Sequence, residues 1–385
     1  MKISKLFLLF LISTILHAGC WDSREIEKRG FVVGMGFDTA APSENDLEPV
    51  GKEGYEVILQ AALPSQIAGT GEAGGGGDLE PSWNITSEGG TILEAIRGTY
   101  TSLQRVPFFA FTEVVIIGEE LARRGIGESM DFLFREPGMR RRVVVYVTPG
   151  EPKKVLEVKP RLETINGIYL AKLVENENET NNIPVPMDLG KLEKVLREEN
   201  SAYLLPSVLV GKEEVKVNGA AVFKGDKMLG WLEKEYTKAH RWITNKAKKD
   251  TIAVLLQDEK IVLDVSSART WIMPKIEDER LKFIIRVRTE GSIGEIHISK
   301  KNLVDNDVLK EIEAAVAKQL EQMMLETISH VQQQYGVDIF GFSRSLEKRY
   351  PTLWKELEPR WDEVFPTLEV DVEIDVNIRR IGMER

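Results

Sequence analysis

Only one cysteine, Cys20, occurs in the 385 residues, so no disulfide can form within the chain and the fold must rest on apolar burial alone. The surroundings of that cysteine constrain the chain further. Lys2 and Lys5 stand in the first five residues with no acid, Leu6 to Leu16 reads LFLLFLISTIL, and the small residues Ala18 and Gly19 precede Cys20. A basic start, a short apolar stretch and a small-residue cleavage site are the order of a secretory signal. The apolar stretch is short of the ~20 residues a spanning helix needs. Residues 1–19 therefore read as a signal peptide, and the body that follows reads as exported.

Ala18-Gly19-Cys20 resembles the lipobox of bacterial lipoproteins, in which diacylglycerol is attached to the thiol and the chain is cut just before it. The match departs at His17, where Leu is usual; Leu16 lies one position further out. The resemblance implies that Cys20 is the lipidation site and that lipid on it holds the protein to a membrane.

Cleavage before Cys20 removes two of the 51 basic residues, Lys2 and Lys5, and none of the 61 acids, leaving 49 against 61 and a net charge of −12. An acidic chain without an evident basic face excludes nucleic acid as a partner. It also predicts repulsion from anionic lipid, so attachment is assigned to covalent lipid rather than to a polybasic patch. The 366 residues after the cut suggest two or three domains, since single cores stop growing near ~250–300 residues.

Along the chain, 31–37 and 55–63 read as strands, and 64–80, with Gly74 to Gly77, as a loop. Helical spacing of Ile92, Leu93, Ile96 and Leu103 predicts a helix over 86–105. Val114 to Ile117 reads as a strand, 118–134 as a helix, 142–147 as a strand, and 162–178 and 188–200 as helices. Pro206 suggests a domain edge. Strands follow at 215–223 and 228–232 around the turn 224–227, then at 252–256, 260–265 and 281–288. Apolar residues at 308, 309, 312, 316, 320, 323, 324, 328 and 331 predict a helix over 305–335, about 45 Å long at 1.5 Å per residue. Leu368 to Ile378 alternates apolar residues with Glu369, Asp371, Glu373, Asp375 and Asn377, which predicts a half-exposed antiparallel strand with a solvated acidic face. Strands and helices mixed without a regular βαβ rhythm predict an α+β fold. The divisions drawn are 20–200, 201–275 and 276–385, the last carrying the long helix.

Reactive constellations are not evident. His17, His240, His297 and His330 are far apart, with no HExxH, no CxxC and no G-x-S-x-G. Gly69 to Gly74 fits GxGxxG, but Pro64 precedes it and nothing helical opens until the late eighties, so it reads as loop. No catalytic residue, metal site or cofactor is expected.

Several segments taken together go beyond composition. They are Cys20-Trp21-Asp22-Ser23-Arg24-Glu25-Ile26 with Val32-Val33-Gly34-Met35-Gly36-Phe37-Asp38; Ser87-Glu88-Gly89 with Glu94-Ala95; and Gly219 to Lys224 with Met228-Leu229-Gly230. Toward the end come Asp338-Ile339-Phe340-Gly341-Phe342, Tyr350-Pro351-Thr352-Leu353-Trp354, Trp361, Phe365 and Ile378 to Gly382. The set resembles the Ger(x)C family of spore-forming bacteria, over nearly the whole chain. The resemblance implies an elongated arrangement of about three α+β domains. It also implies a non-enzymatic lipoprotein subunit of a nutrient germinant receptor, working with integral-membrane A and B subunits at the outer face of the inner spore membrane. No catalytic or ligand residue comes with it. Trp21, Asp22 and Arg24, beside the lipid site, are candidates for partner contact. Tyr350, Trp354 and Trp361 read as core aromatics. The alternative is a lipid-anchored solute-binding protein of the cell envelope.

Overall fold

The computed structural model describes residues 29–40, 54–63, 80–198, 201–211, 214–256, 259–296 and 306–380. The first part of the chain gives β1 (Arg29–Ala40), β2 (Gly54–Ala62), β3 (Ser82–Gly89), α1 (Ile92–Gly98), β4 (Val106–Phe108), β5 (Val114–Gly118), α2 (Glu119–Arg124) and α3 (Gly127–Arg135). β6 (Val144–Thr148), α4 (Pro152–Glu157), α5 (Asn166–Lys172), α6 (Leu189–Arg197), β7 (Ala202–Val210), β8 (Val215–Lys224), β9 (Lys227–Leu232) and α7 (Lys234–Ile243) follow. The second part contains β10 (Asp250–Leu256), β11 (Glu259–Glu277), β12 (Arg280–Ile296), α8 (Asn306–Gln334), α9 (Phe342–Arg349), α10 (Pro351–Leu357), α11 (Trp361–Val364) and β13 (Glu369–Arg380).

Two sheets result, and the fold class is α+β. The first has nine strands in the order β3-β2-β1-β5-β6-β7-β8-β9, with β4 also paired to β1. Its centre is parallel, where β1, β5, β6 and β7 run together, and its flanks are antiparallel hairpins. Parallel strands must be covered on both faces. One face carries Met35, Phe37, Leu59, Val115 and Val145 beneath α1–α3 and α6; the other carries Ile58, Val114, Ile116 and Tyr146 beneath α4 and α5. The glycines of the Val32–Phe37 motif have a packing reason. A Cβ on Gly36 would stand 2.9 Å from Pro152, and one on Gly34 2.9 Å from Leu156, so α4 lies directly on β1.

The second sheet has the order β10-β11-β12-β13. β11 and β12 form a long hairpin turned by Asp278 and Glu279, whose φ of 48° and 61° suit a two-residue turn matched to the strand twist. The 275/276 division falls inside β11, which pairs with β12 as far as Glu277. Helix α8 realises the expected long helix and buries Ile312, Val316, Leu320, Met324, Ile328 and Val331 on one face. One core joins the sheets: Leu204, Ala220, Val222 and Leu232 of the first pack with Ile261, Phe283 and the buried face of α8. β8 reaches both cores because alternate residues point to opposite faces; Ala221 and Phe223 belong to the first-sheet core.

Five expectations are corrected. Residues 86–89 are strand, not helix, because β3 pairs along β2; the helix starts at Ile92 behind a capping box of Thr91 and Glu94. The 118–134 helix is broken at Gly125, at φ 135°. Pro206 lies inside β7, at the bulge between Pro206 and Val208, the setting in which a sheet accepts proline. The 368–378 strand is parallel to β12, because the chain returns through α8 before pairing. Its acidic face is also paired rather than merely solvated: Arg286 meets Glu373 at 2.7 Å and Arg288 meets Asp375 at 3.1 Å.

Candidate functional site

Cys20, Trp21, Asp22 and Arg24 lie outside the described residues, as do His17, His297 and the GxGxxG loop. Among the described residues, a cleft of about 990 Å³ lies on the seam between the sheets, with Tyr203, Lys224, His240, Asp338, Trp354 and Trp361 on its walls.

The wall formed by the 338–342 motif is built around one carboxylate. Asp338 Oδ1 accepts from the backbone N–H groups of Phe340 (3.1 Å), Gly341 (2.9 Å) and Phe342 (3.2 Å). Its Oδ2 accepts from the N–H of Ser343 at 2.7 Å and from the Trp361 indole at 3.4 Å. The first turn of α9 would otherwise leave its N–H groups unpaired. Gly341 cannot cap it with a side chain, and its φ of 83° is a conformation that favours glycine. Trp361 is buried and meets Trp354 edge to face at 5.2 Å, while Trp354 is only half-buried at the cleft.

The opposite wall is α7, whose last turn is buried at His240, Arg241, Trp242 and Ile243. His240 donates from Nε2 to the Ile339 carbonyl at 3.0 Å, and burial pushes its pKa down to about 4, so the ring is neutral near pH 7. Arg241 is 1 % exposed. It donates to the Glu177 carboxylate (3.2 Å) and to the carbonyls of Glu177 (2.9 Å), Ile183 (3.1 Å) and Lys246 (3.0 Å). Its Nε reaches Asn181, and Asn181 in turn donates to Asp250, which also accepts from the Trp242 indole at 2.9 Å and pairs with Lys238 at 2.8 Å. A buried guanidinium needs this many partners. Sequence reasoning missed the group, because it joins residues 177–183 to residues 238–250, more than 50 positions further on, and α7 was not foreseen.

Side-chain bonds cross the seam. Lys224 meets Asp362 at 2.5 Å, Arg344 meets Glu198 at 3.4 Å, and Tyr335 donates to the Trp231 carbonyl at 2.6 Å. Gly230 makes the last contact possible, since a Cβ there would lie 2.9 Å from the Tyr335 ring. The cleft thus offers aromatic walls, exposed charges and backbone dipoles. The Asp338 carboxylate and the His240 Nε2 proton are already committed to the fold. Among the described residues no three His, Cys, Asp or Glu side chains gather as a metal site, and no helix is long and apolar enough to cross a membrane.

A two-sheet α+β body with an ordered seam is the class that the geometry defines. Comparison with known proteins carries this to a family. Residues 22–209 match the spore germination protein N-terminal domain, and residues 218–382 match the spore germination B3/GerAC like, C-terminal family. The chain belongs to the Ger(x)C family. Spore germination protein YndF of Bacillus subtilis (strain 168) is 28% identical to it, over 96% of this chain and 94% of that one. Spore germination protein KC of the same strain is 27% identical, over 98% and 96%. The crystal structure of the GerBC protein shares the fold, with a TM-score of 0.60 at 19% identity, covering 86% of this chain and 95% of that one.

Proposed function

We propose that this protein is a non-enzymatic lipoprotein subunit of a spore nutrient germinant receptor. It acts with integral-membrane A and B subunits, held by lipid on Cys20 to the outer face of the inner spore membrane. The observation that carries the reading is the match of nearly the whole chain, 22–209 and 218–382, to two spore germination families. The core shared by both sheets supports it physically, because a body that moves as one unit can pass a displacement from one partner surface to another. Tethering confines that body to the membrane plane and raises its effective concentration toward membrane partners.

Deletion of the gene tests the proposal. It should abolish the response to one set of nutrients and leave nutrient-independent germination intact, and the protein should co-purify with A and B subunits from spore membranes. Unchanged nutrient responses, with no such subunits recovered, would refute it. The cleft favours a second reading, a lipid-anchored solute-binding protein: its volume falls in the range of small-molecule sites. Calorimetric titration with a nutrient panel separates the two, since saturable heat from this protein alone supports the second.

A further inference from the structure

Parallel strands begin at the same end of a sheet, so residues far apart in sequence meet where β1, β4, β5 and β6 start. Arg29 opens β1, Arg105 precedes β4, Glu113 precedes β5 and Arg140 to Arg142 precede β6. Arg105 lies beside Gly30, and Gly138 beside Ala110. The aromatic rings at this end form one group: Phe31 meets Phe108 at 6.3 Å and Phe111 at 5.2 Å, and Phe108 meets Phe111 at 5.9 Å. Arg29 stands over the Phe108 ring at 4.3 Å and Arg140 over the Phe111 ring at 5.4 Å. The group is not a closed core, for Phe111 is 43% exposed and Val106 37% exposed. Three acids lie nearby: Glu136; Glu113, which pairs with Arg140 and Arg142; and Glu193, which pairs with Arg141. The arginines remain in excess.

We infer that this end of the first sheet is a membrane-docking face, with Phe108, Phe111 and Val106 entering the headgroup region and Arg29, Arg105 and Arg140 binding anionic lipid phosphates. The inference rests on the proposed lipid at Cys20 for its geometry. Eight residues separate Cys20 from Arg29, about 30 Å at full extension over the nine Cα-to-Cα steps, so the anchor cannot leave the neighbourhood of this face. Residues 21–28 hold three acids and two bases, so the tether itself supplies no net positive charge. The mature chain is strongly acidic, and an anionic bilayer repels most of its surface. An arginine-aromatic rim beside the anchor is then the part that attracts it, which suits a bilayer better than a protein partner. Two lipid-directed signals act together: the acyl chains hold the protein at the membrane, and the rim sets which way the body faces.

The test uses the full acylated chain in vesicles of phosphatidylcholine with or without phosphatidylglycerol. Acylation consumes Cys20, so an introduced cysteine is the sole free thiol. A polarity-sensitive fluorophore on Gln104→Cys, exposed next to Arg105, is compared with one on Leu255→Cys, 74% exposed on the second sheet. A lipid-borne quencher should reduce the Gln104→Cys emission several-fold more than the Leu255→Cys emission, only with phosphatidylglycerol and less at high salt. Changing Arg29, Arg105 or Arg140 to Gln should lower the docked-to-undocked ratio roughly fivefold each. Phe111→Ser should lower it too, with the thermal transition checked for each variant. Equal quenching at both positions would overturn the inference. Protection of Gln104→Cys that appears only when integral-membrane receptor subunits are reconstituted would overturn it as well, and would make the face a protein interface. The intact mass of the same samples reports the lipid. A mass without acyl chains on Cys20 refutes the anchor, and the face is then read on a Cys20→Ser background, where the introduced cysteine is again the sole thiol; lipid without quenching refutes the face and keeps the anchor.

Discussion

Replacing Asp338 by Ala should destabilise the protein by about 3–5 kcal/mol. The carboxylate accepts four backbone N–H groups and one indole N–H. A hydrogen bond to a charged group contributes ~1.5–3 kcal/mol, but a sum over five would overcount, because Gly341 and Ser343 are half-exposed and can turn to water. Phe340 and Phe342 are buried, and leaving their N–H groups unpaired costs ~1–3 kcal/mol each. Loss of the cap on α9 adds ~1 kcal/mol. Against a total stability of ~5–15 kcal/mol this is a large fraction. Asp338→Asn keeps one acceptor oxygen and should cost clearly less. Urea unfolding followed by tryptophan fluorescence measures both. One shared core predicts that the unfolding midpoint falls in a single transition. A loss below about 1 kcal/mol for Asp338→Ala would refute the claim that this carboxylate organises the 338–342 turn.

Other expectations are briefer. His240 is held neutral with a pKa near 4, below its ordinary 6.5. The unfolded chain therefore binds the extra proton first, and the stabilisation is complete above pH 6.5 and lost as pH falls toward 4, by up to about 3 kcal/mol; a His240→Gln variant should lack that slope in urea titrations across the window. Gly230→Val should cost ~1–3 kcal/mol by overpacking against Tyr335, and hydrogen exchange should show the end of α8 loosened, whereas a silent change would mean that the contact does not hold the seam. A double-mutant cycle on Arg286 and Glu373 should return only ~0.2–1 kcal/mol, since both side chains are about half exposed. Cys20→Ala should abolish incorporation of labelled fatty acid, because no second thiol exists to accept it.

The sequence by itself determined the features that depend on local pattern. The period of 3.6 gave away the 306–334 helix, and the alternation after Leu368 gave away β13, because each buries one face and the spacing of apolar residues records which. The α+β class and the family were legible for the same reason: short motifs such as Asp338–Phe342 serve a local turn and are written contiguously. What only the tertiary structure decided concerns neighbours that are remote in the chain. No local pattern says that β13 runs parallel to β12, since direction depends on how the chain returns through α8. Nor does it say that residues 86–89 prefer a place beside β2 to a helix. Nor does anything local mark Arg241 as buried: only the packing of α7 against residues 177–183 encloses it and satisfies its charge. Net charge, a sum over the chain, carries no information on place: the acidic total gave no sign of a basic patch, yet parallel strands bring Arg29, Arg105 and Arg140 together at one end of the first sheet.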